Sequence, residues 1–249
     1  MRGEVPISAN GRISIQGRIN AQGDITLQGH SVRIDGNTGP LTADDLSQRQ
    51  RFGATVNSTG LVEGAALVAH GGRISIVAAQ DTRIGGRIDA SAAADTGAAG
   101  SIAVLGGDIT VETGAVLAAD GAAGGEIIVF ADGTLVAEDH ALFSARATHL
   151  GDGGFVELSG NSVRIGAVSV DVGAPAGAMG TLLIDPVDLW VGAGAPGGFD
   201  SVMGDRISLG ANVILQADNS ITLAGTIDTR QITGDASTGN SGSVTMTAP

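Results

Sequence analysis

The chain contains no cysteine, no lysine and no tyrosine, and it has one tryptophan and five phenylalanines among its 249 residues. The absence of cysteine excludes disulfides and cysteine-ligated metal sites. Because aromatic residues are so few, any core must consist mainly of isoleucine, valine, leucine and alanine, and 43% of the residues are hydrophobic. A chain of this size and hydrophobicity buries a substantial core and is not disordered. Small aliphatic side chains favour thin, repeated layers over a bulky globular centre.

Basic residues are also scarce, since 13 arginines accompany 26 acidic residues and the formal net charge is −13. This charge repels phosphate backbones and anionic lipid, so we expect neither nucleic-acid binding nor membrane insertion. No apolar run is long enough for a membrane-spanning helix. The first residues, Met1 to Pro6, lack the apolar core of a signal peptide. We therefore expect an internal segment of a longer exported precursor.

A short pattern recurs through the chain, in which a glycine is followed by polar and aliphatic residues in alternation. Copies begin at Gly11, Gly23, Gly72, Gly107 and Gly154. Alternation with a period of two predicts short strands that each bury one face. Helical periodicity is nearly absent, so the sequence predicts an all-β repeat fold.

The spacing of these strands predicts how they are arranged. The leading aliphatic residues of the central region form three triplets, with a short, even step inside each triplet: Ile102, Ile109 and Val116; Ile127, Leu135 and Leu142; and Val156, Val163 and Val170. Asp-Gly pairs are too few to reverse every strand as hairpins. We predict a right-handed parallel β-helix, a solenoid with three short strands and about 25–29 residues per coil.

Two segments interrupt the repeat. Residues 37–53 predict a loop or a short capped helix that leaves the solenoid at one corner. Residues 193–200 are rich in glycine and proline and predict a second loop. No linker separates domains, so we expect residues 1–249 to form a single β-helix segment of a larger exoprotein.

Candidate metal and catalytic residues lack the spacing that such sites require. The four histidines are scattered, at His30, His70, His140 and His149. Five aspartates fall in predicted turns and are interpreted as solvated groups: Asp108, Asp120, Asp132, Asp139 and Asp152. The calcium-binding nonapeptide is missing, as are nucleophile elbows and phosphate loops. The sequence predicts no catalytic residue, no metal and no cofactor.

Two alternatives to a structural or adhesive rod stay open. Glu126, Asp152 and Glu157 could supply the paired carboxylates of a polysaccharide lyase or glycosidase, although a single tryptophan and no tyrosine leave few aromatic platforms for sugars. The second alternative is an intracellular filament, in which open coil ends stack on one another. We expect the rod, with no enzymatic activity.

Two segments resemble a known family. The segment from Gly151 to Gly160 and the segment from Thr181 to Leu189 match, in order and spacing, a paired motif of the filamentous-haemagglutinin-like exoproteins of bacterial two-partner secretion. The coils from residue 60 to 249 are similar to the adhesin repeat region of the same family. The family's secretion-domain signature, Asn-Pro-Asn, is absent, which fits an internal segment.

The resemblance implies a right-handed β-helix that crosses the outer membrane of a Gram-negative cell through a dedicated transporter. Members of the family are virulence-associated adhesins, haem-acquisition proteins or shafts that carry toxins. The implied location is secreted or on the cell surface, and the implied partners are the transporter and receptors or glycans on host or bacterial cells.

Two residues near the second motif segment have simple structural interpretations. Pro186, which follows Asp185, is expected at a corner that ends a strand. The single tryptophan, Trp190, is expected to fill or cap the interior of a coil.

Overall fold

A computed structural model of the protein describes residues 4–35, 66–94, 96–195, 202–203, 206–229 and 242–249. Every regular element in these ranges is a β-strand. The excursion expected at 37–53 lies outside the described residues, as do residues 196–200 of the second expected loop.

The strands are short at both ends of the molecule and long in its centre. They are β1 (Val5–Ser8), β2 (Arg12–Ile15), β3 (Arg18–Asn20), β4 (Ile25–Gly29), β5 (Ser31–Ile34), β6 (Ala66–Val68), β7 (Arg73–Ile84), β8 (Arg87–Asp89), β9 (Ser101–Val111), β10 (Val116–Ala118), β11 (Glu126–Ala137), β12 (Leu142–Ser144), β13 (Phe155–Ile165), β14 (Ser169–Asp171), β15 (Thr181–Asp185), β16 (Asp188–Val191), β17 (Val202–Met203), β18 (Arg206–Gly210), β19 (Asn212–Gln216), β20 (Ser220–Leu223), β21 (Thr226–Asp228) and β22 (Val244–Thr247).

Each coil of the chain crosses three faces. The first face stacks β1, β4, β7, β9, β11, β13, β15, β19 and β22, each parallel to the next. The second face contains β2, β5, the second halves of β7, β9, β11 and β13, and then β17, β16 and β20. The third face stacks β3, β6, β8, β10, β12, β14, β18 and β21. The prediction of an all-β parallel solenoid is confirmed.

Register pairs give the length of each coil, because residues paired between neighbouring strands of one face lie one coil apart. Ile102 pairs with Ile127, and Ile127 pairs with Val156, so the spacing of these central coils agrees with the predicted repeat. Farther along, Leu182 pairs with Val213, which makes that coil longer than either of them. The predicted repeat therefore holds in the centre and lengthens towards the carboxyl end.

The central coils differ from the prediction in one respect. The first two predicted strands are continuous in β7, β9, β11 and β13, which are 11 or 12 residues long. Each of the first three bends where the register shifts, for example between Ala131 and Thr134 in β11. Asp132 and Gly133 occupy this bulge, which turns the chain from the first face to the second without ending the strand.

Aliphatic side chains stack through the interior of the solenoid. One ladder of the first face contains buried residues from seven coils: Ile25, Ile74, Ile102, Ile127, Val156, Leu182 and Val213. Neighbouring rungs of a parallel sheet are about 4.8 Å apart, so the side chains of one coil contact those of the next. The core is a column of thin aliphatic layers, as the composition predicts.

The predicted ladder of the third face was wrong by one residue in two coils. The buried residues in register there are Leu117, Phe143 and Val170. Val116 and Leu142 pair with each other but are half-buried on the outer side. Adjacent apolar residues left the choice of face open, and a shift of one residue sends a side chain to the opposite face of a strand.

A continuous column of glycines precedes the first face. This glycine column consists of Gly23, Gly72, Gly100, Gly125, Gly154 and Gly180, which stack one above another. A methyl group on Gly125 would lie 2.2 Å from the carbonyl oxygen of Gly100, and one on Gly154 would lie 2.1 Å from that of Gly125. Successive backbones are therefore in direct contact, which explains the glycine that begins the recurring sequence pattern at Gly23, Gly72 and Gly154.

Candidate functional surfaces

Four of the five predicted turn aspartates bind the backbone of the next coil. The Oδ1 atoms of Asp108, Asp120, Asp139 and Asp152 accept hydrogen bonds from the backbone N–H groups of Thr134, Arg146, Ala167 and Ala178 at 2.7, 2.9, 2.7 and 2.7 Å. We call these contacts carboxylate clamps. Asp108, Asp139 and Asp152 are exposed, as solvated groups would be. The interpretation as solvated groups was incomplete, because each of the four also joins two coils.

Each of the four histidines lies in a turn or bend between strands. His70 and His140 adopt positive φ values of 33° and 63°, where chain direction changes. The Nδ1 atom of His149 lies 2.8 Å from the carbonyl oxygen of the adjacent Thr148. Within the described ranges, no group of three or more histidine, aspartate or glutamate side chains is arranged to hold a metal ion.

Two aspartates on neighbouring coils at one corner have opposite pKa shifts. Burial raises the pKa of Asp120, although Ser144 donates a hydrogen bond to its Oδ1 at 2.7 Å. Burial also acts on Asp89, but hydrogen bonds from Ser91 and Arg87 outweigh it and lower the pKa of that carboxyl. Both shifts follow from burial and from the hydrogen bonds at this corner.

The three carboxylates considered for glycoside chemistry lie on the first face and at the corner that precedes it. Glu126 pairs with Phe155, whereas Glu157 pairs with Ile128, so the two glutamates lie on different rows of the first face. Asp152 lies at the preceding corner, where its Oδ1 is part of a carboxylate clamp. The structure therefore assigns Asp152 to coil stacking and places an exposed Glu126 and a half-buried Glu157 on neighbouring coils.

A shallow groove of about 470 Å³ crosses the corner between the second and third faces. Thr113, Glu138, Asp139 and Arg164 are among the residues that line it. Glu138 accepts hydrogen bonds from the backbone N–H and hydroxyl of Thr113, both at 2.9 Å, and Asp139 is a clamp. None of the lining residues is aromatic, so this groove offers no stacking platform beside its engaged carboxylates.

An exposed apolar surface lies on the first face and was missed from the sequence. Val77 pairs with Leu105, and Leu105 pairs with Phe130, on three consecutive coils. Leu105 is 39% exposed and Phe130 41% exposed, and we call these three residues the apolar row. The sequence contained a signal for this surface. The first halves of β9 and β11 are continuous apolar runs, whereas a strand with one solvent-facing side would alternate apolar and polar residues.

An acidic set borders the apolar row at the bend of the same three coils. Asp81 pairs with Asp108, and Asp132 occupies the corresponding bulge on the next coil. All three are exposed, and we call them the acidic column. Along the strands, Asp81, Asp108 and Asp132 follow Val77, Leu105 and Phe130 by four, three and two residues, so a carboxylate lies near the apolar row on each of its three coils.

The two segments of the paired sequence motif stack on each other. Phe155 of β13 pairs with Thr181 of β15, and the register continues to Ser159 and Asp185. Their spacing in the sequence therefore equals one coil. Pro186 lies between β15 and β16, at the corner where it was expected.

Trp190 does not fill the coil interior. Leu189 and Val191 on either side are fully buried, whereas Trp190 is only partly buried. Because strand residues alternate between faces, the tryptophan lies on the outer side of the second face. The expected interior position was wrong.

Comparisons of the chain with protein-family models, with curated proteins and with solved structures find no match. Within the described part of the chain, no helix has the length and apolarity needed to cross a bilayer. The described residues form a parallel β-solenoid with carboxylate clamps at its corners and an exposed apolar row on its first face.

Proposed function

We propose that the chain is a segment of a secreted or cell-surface β-helix rod, of the filamentous-haemagglutinin-like kind, which mediates attachment or presents a distal functional domain. The proposal rests on one observation, which is that the buried and the acidic side chains hold the coils together. Aliphatic residues form interior ladders, and four of the aspartates that were candidates for chemistry are carboxylate clamps. A molecule built in this way is suited to act as a long rod whose outer faces make contacts.

The solenoid also suits export through an outer-membrane transporter, which we propose as a partner during secretion. Each coil contacts mainly the coils before and after it. Coils can therefore form one after another as the chain emerges, without waiting for distant segments. The absence of cysteine leaves no cross-link that would hold a loop closed before transport.

Attachment through a rod relies on many weak contacts. Shallow faces bind any single receptor or glycan weakly, but several contacts along one rigid molecule act together. The acidic composition keeps such a rod soluble at high local density. Cell-surface receptors or glycans of host or bacterial cells are the partners that this proposal requires.

A carbohydrate-active β-helix fits less well. Such an enzyme needs two close, available carboxylates and a substrate groove. The groove beside Arg164 contains Glu138 and Asp139, and both accept backbone hydrogen bonds from neighbouring coils. Incubation with acidic and neutral polysaccharides, followed by assays for reducing ends and unsaturated products, tests this alternative directly.

An intracellular filament formed by stacking of open coil ends is the second alternative. The N–H groups of Val5 and Ala9 donate to the carbonyl oxygens of Asp24 and Gln28, so Pro6 lies on the side of β1 away from β4. Because proline has no N–H, a strand that added on that side would lack one hydrogen bond of the ladder.

Surface labelling tests the proposed location. Antibodies raised against the chain should label intact, unpermeabilised cells of the source organism or detect the protein in the culture medium. Deletion of the outer-membrane transporter should abolish both signals while the protein accumulates inside. Protein that stays protected from external protease in intact cells, and forms concentration-dependent polymers in the ultracentrifuge, would instead support the filament.

Attachment is tested with beads that carry the purified chain. We expect the beads to bind host or bacterial cells more strongly than beads carrying an unrelated soluble protein of equal charge. Binding equal to that of the control beads on every cell type would contradict the adhesive role.

A further inference from the structure

We propose that the apolar row and the acidic column together bind a cationic amphipathic helix of a partner protein, which lies along the rod axis. This inference deepens the proposed attachment function, on which it rests, by naming the chemistry of one partner. It is drawn from the positions of six side chains on three consecutive coils.

The apolar row forms a strip of apolar side chains on the outer side of the first face. Val77, Leu105 and Phe130 are direct neighbours in register, so each side chain contacts the coil above and below. Ala103 and Ile128 occupy the adjacent row and are half-buried. The strip therefore offers aliphatic and aromatic surface to a partner along the axis of the rod.

The acidic column supplies the charge that selects a cation. Within the described ranges, the Asp81 and Asp132 side chains have no hydrogen bond or ion pair, and both are exposed. Asp108 uses Oδ1 to bind Thr134 and retains its second oxygen. Arg83, two residues beyond Asp81, lies 3.9 Å from Glu112 and is thereby partly neutralised.

The spacing of the two rows favours a helix over an extended peptide. Coils repeat about every 4.8 Å, whereas side chains on one face of a strand repeat about every 6.8 Å. On an α-helix, residues three and four apart form rows with Cβ atoms about 5–6 Å apart. A helix along the axis can thus place one apolar row on Leu105 and Phe130, and a neighbouring lysine or arginine row on the acidic column.

Two other occupants are disfavoured. A second copy of the chain packed side by side on this face would bring two acidic columns together, and the net charge of −13 adds to the repulsion. A metal ion is disfavoured because no group of acidic or histidine side chains in the described ranges has the arrangement for one. Charge complementarity therefore favours a basic partner.

The test uses a fluorescent peptide of leucine, lysine and alanine, about 15 residues long, with leucines on one helical stripe and lysines on the next. Fluorescence anisotropy measures its binding to the whole chain. We expect saturable binding that weakens when the ionic strength is raised from about 0.01 M to 0.15 M, because screening shortens the reach of exposed charges. A peptide of identical composition with scrambled order should bind at least about fivefold more weakly, because it cannot align both stripes.

Paired variants locate the binding surface. D81N with D132N should weaken binding about fivefold, in line with the modest strength of exposed ion pairs. The matched control, E4Q with D218N, removes the same charge at two exposed residues elsewhere and should change binding less than about 1.5-fold. L105S with F130S should weaken binding at least about tenfold through lost apolar burial. Circular dichroism and thermal melting establish that each variant keeps the fold.

Each contrary result has a definite meaning. Equal binding by the Asp81/Asp132 variant and its control, equal binding of the scrambled peptide, or no binding by the unaltered chain at low salt would overturn this inference. If beads carrying L105S with F130S still attach to cells as well as unaltered beads, attachment stands and the helix partner is overturned. If the peptide binds as expected but unaltered beads attach to no cell, the helix-binding surface stands and the attachment function fails.

Discussion

The glycine column and the carboxylate clamps join the same coils by opposite means. In the column, the carbonyl of one glycine lies where the next glycine would carry a methyl group, so backbone touches backbone. In a clamp, a carboxylate extends across the gap to a backbone N–H, as Asp139 does to Ala167 at 2.7 Å. The glycine contact requires that no side chain be present, whereas the clamp requires a carboxylate side chain.

This difference determines how each device responds to change. The glycine contacts involve no ionisable group, so pH and salt leave them unaffected, but any added atom forces two coils apart. A clamp can be shortened or neutralised at a limited cost, because water and neighbouring groups replace part of a lost hydrogen bond. The pKa of the clamp residue Asp120 is raised by burial, so the stability that this residue contributes depends on pH, whereas that of the column does not.

The largest expected effect is from Gly125→Ala in the glycine column. The new methyl group would lie 2.2 Å from the carbonyl oxygen of Gly100 and 3.0 Å from Ala119. Backbone on both sides cannot move without breaking the ladders, so we expect a loss of about 3–5 kcal/mol in the free energy of unfolding, or failure to fold. Denaturant unfolding followed by circular dichroism measures the change.

Gly11→Ala is the matched control, because no neighbouring heavy atom lies within 4 Å of the position that its methyl group would occupy. We expect its free energy of unfolding to stay within about 0.5 kcal/mol of the parent. Similar losses for both variants would mean that glycine is required for chain flexibility and not for close approach.

The sequence predicted the repeated parts of this architecture better than the contacts between coils. Period-two alternation and the regular return of the strand triplets identified the parallel solenoid and most interior residues, because both signals are local or periodic. The third face was misread since Val116 and Leu117, like Leu142 and Phe143, are adjacent apolar residues and either can face inwards.

Contacts made one coil away left no local signal. Nothing near Asp120 in the sequence identifies the N–H of Arg146 as its partner, because the pair forms only after the coils are stacked in register. The apolar row was missed for a related reason. A continuous apolar run fits a strand buried on both faces as well as one that leaves Leu105 exposed.

The clamp at Asp120 is expected to give the second largest effect. Asp120→Ala removes the acceptor for both the Ser144 hydroxyl, at 2.7 Å, and the Arg146 backbone N–H, at 2.9 Å. We expect a loss of about 1–3 kcal/mol in the free energy of unfolding at neutral pH. Asp120→Asn keeps an oxygen acceptor and should lose less. Equal losses for the two variants would mean that the charge, not the hydrogen bonds, holds the coils together.

A substitution at the bend between the first and second faces is expected to have a smaller effect, and to stabilise the fold. Thr82 is 1% exposed within the aliphatic ladder between Val32 and Ile109, and among the described residues its hydroxyl has no hydrogen-bond partner. Thr82→Val replaces this hydroxyl with a methyl group of similar size and should raise the free energy of unfolding by about 1 kcal/mol.

Thr110→Val is the control for that substitution, because Thr110 follows the buried Ile109 on the same strand and lies on the outer side. We expect a change within about 0.5 kcal/mol. The same denaturant titration measures both variants. Destabilisation by Thr82→Val would mean that the buried hydroxyl stabilises the bend.

The smallest expected effect is a difference in pH dependence between Asp89 and Asp120. Burial raises the pKa of Asp120 above its usual value of 3.8, so protonation of this group stabilises the fold below pH 3.8, and that contribution is lost as pH rises through the raised pKa. At Asp89, hydrogen bonds from Ser91 and Arg87 outweigh burial and lower the pKa. Its ionised form therefore stabilises the fold above pH 3.8, and this contribution is lost as pH falls through the lowered pKa.

Free energies of unfolding for the parent, Asp89→Asn and Asp120→Asn, measured from about pH 3 to pH 7, separate these two contributions. As pH rises towards 3.8, Asp89→Asn should lose stability relative to the parent, with no further change above that pH. As pH rises past 3.8, Asp120→Asn should gain stability relative to the parent. Differences that run in the same direction would mean that general charge repulsion in this acidic chain outweighs the local contacts. Opposite directions would show that two carboxylates one coil apart respond to their own hydrogen bonds and burial, which is the behaviour that distinguishes a clamped corner from the glycine column beside it.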